Sequence, residues 1–204
     1  PWQTQLEESF SQRLQEYLTK ALREAKTHSS WIEPNEAYEQ AAASFLEHLT
    51  EPVANEKFQR DFQNFCRPVH EYGLIGSCAQ ALLKMTAPGV PDFYQGTETW
   101  DLNLVDPDNR RPVDYKKNIR LLQELDDRQN AGKSGFFEWL FSRRHTGLMK
   151  LYVIQKTLHF RNRHKNLFDN GGYISLQTKG ALKDHLIAFA RIDGDKQALT
   201  AVPR

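Results

Sequence analysis

The sequence predicts a mainly α-helical chain with a small antiparallel β part at its C-terminal end. Three observations carry this. Apolar residues recur at three- and four-residue steps through the first half, and again between about 115 and 164, which is the period of an amphipathic helix. The turn signal Pro88-Gly89 and the apolar run Val90 to Tyr94 interrupt that period once. After Asn170-Gly171-Gly172 the pattern becomes strand-like to the last residues.

The elements follow in order. Leu6, Phe10, Leu14, Tyr17, Leu18, Ala21, Leu22 and Ala25 share one face of a first helix. His28 to Glu33 breaks it. Pro34 suits the first turn of a second helix, where its missing N–H costs nothing. Tyr38, Ala41, Ala42, Phe45, Leu46 and Leu49 are its expected buried stripe, and Pro52 closes it. Asn55 is placed as N-cap of a third helix carrying Phe58, Phe62, Phe65 and Val69, with Pro68 near its end. A fourth helix is expected from about Glu71 to Met85, with Leu74, Ile75, Cys78, Leu82 and Leu83 facing inward.

Val90 to Tyr94 reads as a short strand ended by Gly96, with Pro91 tolerable only at its start. Helix, tight turn and short strand is the local grammar of an α/β unit. Trp100 to Val113 is a polar loop stiffened by Pro107 and Pro112. Asp114 or Tyr115 opens a helix through Ile119, Leu122 and Leu125. A linker at Ala131 to Gly135, a short aromatic helix at Phe136 to Phe141 and a long helix at Gly147 to His164 come next. Tyr173 to Leu176, His185 to Arg191 and Ala198 to Val202 are strands, with Asp193-Gly194 as a hairpin signal between the last two.

At 204 residues the chain is one large domain or two small ones. Its 27 Lys+Arg against 26 Asp+Glu leave a formal charge of +1, far from the basic excess of a phosphate-neutralising nucleic-acid binder. There is no apolar run of ~18 residues for a membrane span, and no secretory signal pattern at the N-terminus. Cys66 and Cys78 are too few for a disulfide framework or a four-cysteine zinc site, and fit a reducing compartment. The start at Pro1 and the end just after a strand-like stretch suggest a piece of a longer protein.

Most motifs dissolve on inspection. Gly132-Lys133-Ser134 ends like a phosphate loop, but the position needing its first Gly is Asp127, so a linker is expected. His159 and His164 are five apart, and no His-Glu-x-x-His or Gly-x-Ser-x-Gly occurs. The basic run Arg161 to Lys165 suits a helix C-terminus. Glu7-Glu8 and Asp126-Asp127 are solvated pairs. No metal site and no organic cofactor is expected. The polar loop resists dismissal, because Glu98, Asp101, Asp106, Asp108, Arg110 and Arg111 follow a strand end within fourteen residues. In α/β barrels such loops build the active-site face. Arginine–carboxylate pairs fix sugar hydroxyls or each other, and Trp31, Tyr94 and Trp100 offer faces for pyranose rings. The residues alone leave it even whether Asp106 with Arg110 or Arg111 handles ligand or merely pins the loop.

The stretch Pro88-Gly89-Val90-Pro91-Asp92-Phe93-Tyr94-Gln95-Gly96-Thr97-Glu98 resembles the last barrel-strand motif of the α-amylase superfamily. Its continuation, Trp100-Asp101 and Leu104-Val105-Asp106-Pro107-Asp108-Asn109-Arg110-Arg111-Pro112-Val113-Asp114-Tyr115, is similar to the maltooligosyltrehalose synthase family within it. Ser30-Trp31-Ile32-Glu33-Pro34-Asn35, Leu158-His159-Phe160-Arg161-Asn162-Arg163-His164 and His185-Leu186-Ile187-Ala188-Phe189-Ala190-Arg191 extend the likeness. The departures are small: Ser29 stands where the family commonly has Thr, and Thr99 where it commonly has a Leu-like residue.

The resemblance implies a C-terminal fragment. Residues 1–165 would be the closing part of a (β/α)8 barrel with inserted helices, and 166–204 the start of an antiparallel β-rich domain. It implies an intramolecular transglucosylase that turns the reducing-end α-1,4 bond of a maltooligosaccharide into an α,α-1,1 bond, by a retaining double displacement. The three superfamily carboxylates would precede this chain, so no catalytic residue is assigned and the fragment is expected to be inactive alone. Substrate-binding expectations are Trp31, Tyr94, Glu98, Trp100, Asp106, Arg110 and Arg111. The expected partners are the sugar and the missing N-terminal part of the same polypeptide, with neither nucleic acid nor membrane, in the cytoplasm. The alternatives are a fragment of an amylase-type hydrolase and a non-catalytic helical interaction module.

Overall fold

A computed structural model describes residues 8–51, 55–104, 106, 108–132 and 134–204. Pro1, Leu6, Glu7, Pro52, Val105, Pro107 and Lys133, named above, lie outside the described residues. The chain divides into two units. The first holds residues 1–69 and 102–112, the second 70–101 and 113–204.

In the first unit, α1 is Glu8–Ala25 and α2 is Glu36–Thr50. Helix α2 starts two residues later than Pro34 because Asn35 caps it: its side-chain oxygen accepts the Tyr38 N–H at 3.1 Å. The two helices are tied by polar side chains. Gln15 donates to Glu47 at 2.8 Å, and Arg23 grips Glu39 with two bonds of 2.8 Å. The expected buried stripe of α2 is not buried. None of its described residues is, and Phe45 is 65 % exposed. An amphipathic period shows which face needs cover, not that cover is present in the same unit.

Helix α3 is Glu56–Thr86, one continuous helix where two were expected. Pro68 lies inside it: its fixed φ is a helical one, and the helix tolerates the lost N–H and the crowding of the ring against the carbonyl one turn back. Asn55 precedes α3, and its carbonyl accepts the Gln59 N–H at 2.9 Å. Its side chain does not cap α3; the amide donates back to the His48 carbonyl. On the part of α3 in the first unit, Phe58, Phe62, Phe65 and Val69 are all exposed. On the part in the second unit, Leu74, Ala79, Ala81, Met85 and Thr86 are buried, while Ile75, expected inside, is 40 % exposed.

The second unit is built around two apolar clusters. Helix α4 (Tyr115–Asn130) starts at Asp114, whose carboxylate accepts the Lys117 N–H at 2.9 Å. Its Leu121 and Leu125 pack with Leu140 of α5 (Phe136–Ser142) and with Leu148 and Leu151 of α6 (Leu148–Arg163). Ala81 and Met85 of α3 meet Ile154 of α6, with Phe93 and Leu158 against them. Leu125, Leu148 and Met85 are fully buried, each burial contributing roughly 1.5–3 kcal/mol. Cys78 is half-buried, and burial pushes its thiol up to about 11, so it is an inert packing group.

Val90 to Tyr94 has no regular secondary structure and belongs to no strand among the described residues. A strand exists only through its ladder partner. Tyr94 is half exposed and outside any helix.

Helix α7 (Lys165–Asp169) leads to β1 (Gly172–Ser175), β2 (Leu186–Asp193) and β3 (Lys196–Pro203), an antiparallel sheet in that order. The hairpin turn is Gly194-Asp195, one residue later than the expected pair, with Asp193 opposite Lys196. Thr200 and Val202 of β3 point inward while Leu199, Ala201 and Pro203 point out. Leu167 and Phe168 of α7 are buried with Phe189 of β2. Arg161, expected to complement its own helix end, instead donates to the Met85 carbonyl of α3 at 2.9 Å and to the Gly89 carbonyl at 2.7 Å. It serves the neighbouring helix's unpaired carbonyls.

Candidate functional site

In the second unit, the loop after Val90 to Tyr94 is shaped by its backbone first. The Thr97 N–H donates to the Tyr94 carbonyl at 3.1 Å, closing a turn with Gly96 at φ 89° in its third position. That is the place where a type II turn demands a positive φ. Glu98 follows, half-buried, with one carboxylate oxygen shielded from solvent and without a hydrogen-bond partner. Thr99 is buried. The Trp100 indole N–H donates to the Arg144 carbonyl at 2.6 Å. Gly147, at φ 93°, backs directly onto this loop: a Cβ there would sit 2.6 Å from the Thr99 Cβ and 3.1 Å from the Trp100 nitrogen. Lys150, one turn further along α6, places its ammonium 5.8 Å from the Trp100 ring centre.

The loop of the first unit is organised by Asp108, which is buried. Arg13 of α1 grips it with two bonds of 2.7 Å, the Leu104 N–H donates to it at 2.6 Å, and Arg111 lies 2.9 Å from it. The Arg13 guanidinium holds its carboxyl below the usual range. Arg111 also donates to Asn103. Asp106 and Arg110 pair with each other at 2.6 Å, but both are exposed, so the pair contributes at most about 1 kcal/mol. The loop-pinning role that the residues left open is thus filled, chiefly by Asp108. Asp108→Ala is expected to speed exchange of the Leu104 amide by ~10-fold or more, the scale of losing one charge-assisted bond. Asp106→Ala should leave it unchanged, and hydrogen exchange of the two variants checks this.

Trp31, also in the first unit, donates from its indole to Glu24 at 2.9 Å, and Arg23 covers one ring face at 5.0 Å. Its turn is held by Ser29, which donates to Glu39 and accepts the Asn35 N–H at 3.0 Å. An open cavity of about 550 Å³ lies beside it, lined by Lys26, His28, Ser30, Glu33 and Pro34 among others. The Arg23 and Ser29 hydrogen bonds lower Glu39 from its usual 4.5 to about 2. Because the folded value lies below the unfolded one, this contribution to stability is complete above pH 4.5 and is lost as the pH falls toward 2. An acid titration followed by circular dichroism should therefore show a transition in that window that is weakened in Glu39→Gln.

The site residues named from the sequence thus fall into two sets: Trp31, Asp106, Arg110 and Arg111 in the first unit, Tyr94, Glu98 and Trp100 in the second. Reading the sequence missed Arg13, Gly147 and Lys150. Arg13 is 95 residues from Asp108, and no spacing rule reaches that far. No cluster of His, Cys, Asp and Glu among the described residues could hold a metal ion, and no described helix is long and apolar enough to cross a membrane.

By fold the chain is mainly helical with a three-stranded antiparallel sheet, and its polar loops pair arginines with carboxylates beside exposed aromatic rings. No family model matches it. A Mycobacterium tuberculosis protein, named provisionally as a maltooligosyl trehalose synthase, is 34 % identical over 189 residues, 92 % of this chain. A solved maltooligosyl trehalose synthase superposes with a TM-score of 0.77 at 32 % identity over 90 % of this chain, and that of Arthrobacter ramosus with 0.74 at 34 % over 95 %. The chain is related to maltooligosyl trehalose synthases along nearly its whole length, and it spans about a fifth of the curated relatives it matches.

Proposed function

We propose that the chain is the C-terminal barrel-closing part of an intramolecular transglucosylase that converts the reducing-end α-1,4 bond of maltooligosaccharides to an α,α-1,1 bond, in the cytoplasm. Residues 1–165 end the barrel and 166–204 begin the β-rich domain. The observation that carries this reading is the collinear likeness: 92 % of this chain against 21 % of the relative. The open faces of α2 and α3 support it. Phe58, Phe62, Phe65 and Val69 step by four, three and four along one helix face and are exposed, as expected where further polypeptide is to be packed. Val90 to Tyr94, unpaired among the described residues, suits a last barrel strand awaiting its neighbours.

In this reading the reacting carboxylates lie in the remainder of the polypeptide. One attacks the anomeric carbon while another protonates the departing glycosidic oxygen and then, as base, takes the proton of the attacking hydroxyl. The released glucose re-enters through its own anomeric hydroxyl, and exclusion of water separates this outcome from hydrolysis. Tyr94, Glu98 and Trp100 of the second unit are its sugar-binding residues in this reading, and Trp31, Asp106, Arg110 and Arg111 are those of the first.

Incubation with maltopentaose tests the proposal. The chain alone should give no product, and the complete polypeptide a non-reducing product of unchanged length. Turnover by the chain alone would sink the fragment reading, and shorter reducing sugars from the complete polypeptide would make it a hydrolase. Arg110→Ala in the complete polypeptide should lower activity more than Lys116→Ala; equal effects would remove this loop from the cleft.

A further inference from the structure

Lys150 stands out among the titratable groups of the second unit. It projects from the first turn of α6 into a half-buried position, where an ammonium is costly unless it serves something. Three features of its surroundings converge on one target. Its ammonium lies over the Trp100 ring at 5.8 Å. Trp100 is already held at its indole N–H by the Arg144 carbonyl and at its backbone by the close approach of Gly147. Glu98 and Asp101, which flank Trp100, act electrostatically on Lys150, together with Cys78 and with Lys84 of α3. One Glu98 oxygen is shielded from water and takes no hydrogen bond, a placement that costs free energy unless the loop is held.

We propose that Lys150 is a positioning residue: by lying over the Trp100 indole, it holds the Glu98–Trp100–Asp101 loop in the one orientation in which it can meet a sugar. This rests on the proposed sugar-handling role of that loop. Lys150 itself touches no substrate. An apolar side chain of equal length would fill the space but leave the ring without its cation, whereas arginine keeps both charge and ring contact.

Two readouts test it. In the chain itself, labelled with ¹⁵N-tryptophan, Lys150→Met should shift the Trp100 indole N–H resonance and speed its solvent exchange. The Trp31 and Trp139 resonances should stay in place, and Lys150→Arg should restore Trp100. In the complete polypeptide, Lys150→Met should raise KM for a maltooligosaccharide about three- to fivefold with kcat nearly unchanged, the scale of one cation–π contact, and Lys150→Arg should recover it. An unmoved Trp100 signal would overturn the positioning role whatever the activity. A moved signal with unchanged KM would overturn its link to the sugar. A complete polypeptide that does not transglucosylate would instead overturn the functional reading, and the Trp100 signal would still decide the role of Lys150 in ordering the loop.

Discussion

Replacing Arg191 with Met is expected to lower the stability of the second unit by about 3–5 kcal/mol. Arg191 is 2 % exposed, yet its partners are not carboxylates but carbonyls. Its guanidinium donates to Gly171 at 2.7 Å, Phe168 at 2.9 Å, Gly172 at 3.3 Å and Thr86 at 3.4 Å, and it lies over the Phe168 ring at 5.9 Å. One side chain thus donates to the end of α3, to α7 and to the start of β1, where helix-end carbonyls lack an intrahelical donor. Methionine fills a similar volume and accepts nothing back, so several buried carbonyls lose their donors together. Lysine keeps the charge but not the planar fork, and Arg191→Lys should fall between. Denaturant unfolding measures the loss, and amide exchange along β1 and β2 should localise it. A Met variant within about 0.5 kcal/mol of the parent chain would show that the four contacts contribute little.

The second large effect is expected at Gly147, where alanine should cost about 2–4 kcal/mol. Two causes add. The backbone there has φ 93°, which an L side chain adopts only under strain, and the new methyl would meet the Thr99 Cβ at 2.6 Å and the Trp100 nitrogen at 3.1 Å. The causes can be separated. Thr99→Gly in the Gly147→Ala background removes the first clash but not the backbone strain, so it should recover only part of the loss. Full recovery would show that the φ is relaxed easily, and no recovery that the Trp100 backbone is the obstacle. In the same variant the hydrogen bond from Trp100 to the Arg144 carbonyl should be broken, visible as faster exchange of the indole proton.

Elements governed by neighbours within one turn were legible. The helix opening at Asp114 or Tyr115, the short aromatic helix from Phe136 and the three strands at the end lie within a few residues of where the pattern placed them. The family likeness also lay in plain view, in the run from Pro88 to Tyr115. What failed did so for one kind of reason. The α2 stripe was periodic and yet is exposed, because burial depends on what is opposite. Pro68 looked like a boundary and is a helical residue, because the flanking turns continue through it. Val90 to Tyr94 has strand composition but no ladder among the described residues, because composition does not supply a pairing partner.

The candidate site divides the same way. Its aromatic and charged residues could be named from composition and order, since chemistry resides in the residue type. Which of them are engaged could not. Asp108 is claimed by an arginine 95 residues earlier, Trp100 by a carbonyl 44 residues later, and Arg191 reaches back 105 residues to Thr86. The amino-acid order alone determines most of the helical segments, the presence of the hairpin and the kinship, all short-range or directly written in the chain. It does not determine the joining of two expected helices into α3 or the turn at Gly194-Asp195. The anchors of the loops are decided by tertiary structure, because a hydrogen bond between distant residues exists only once packing has brought donor and acceptor together, and no local pattern encodes that meeting.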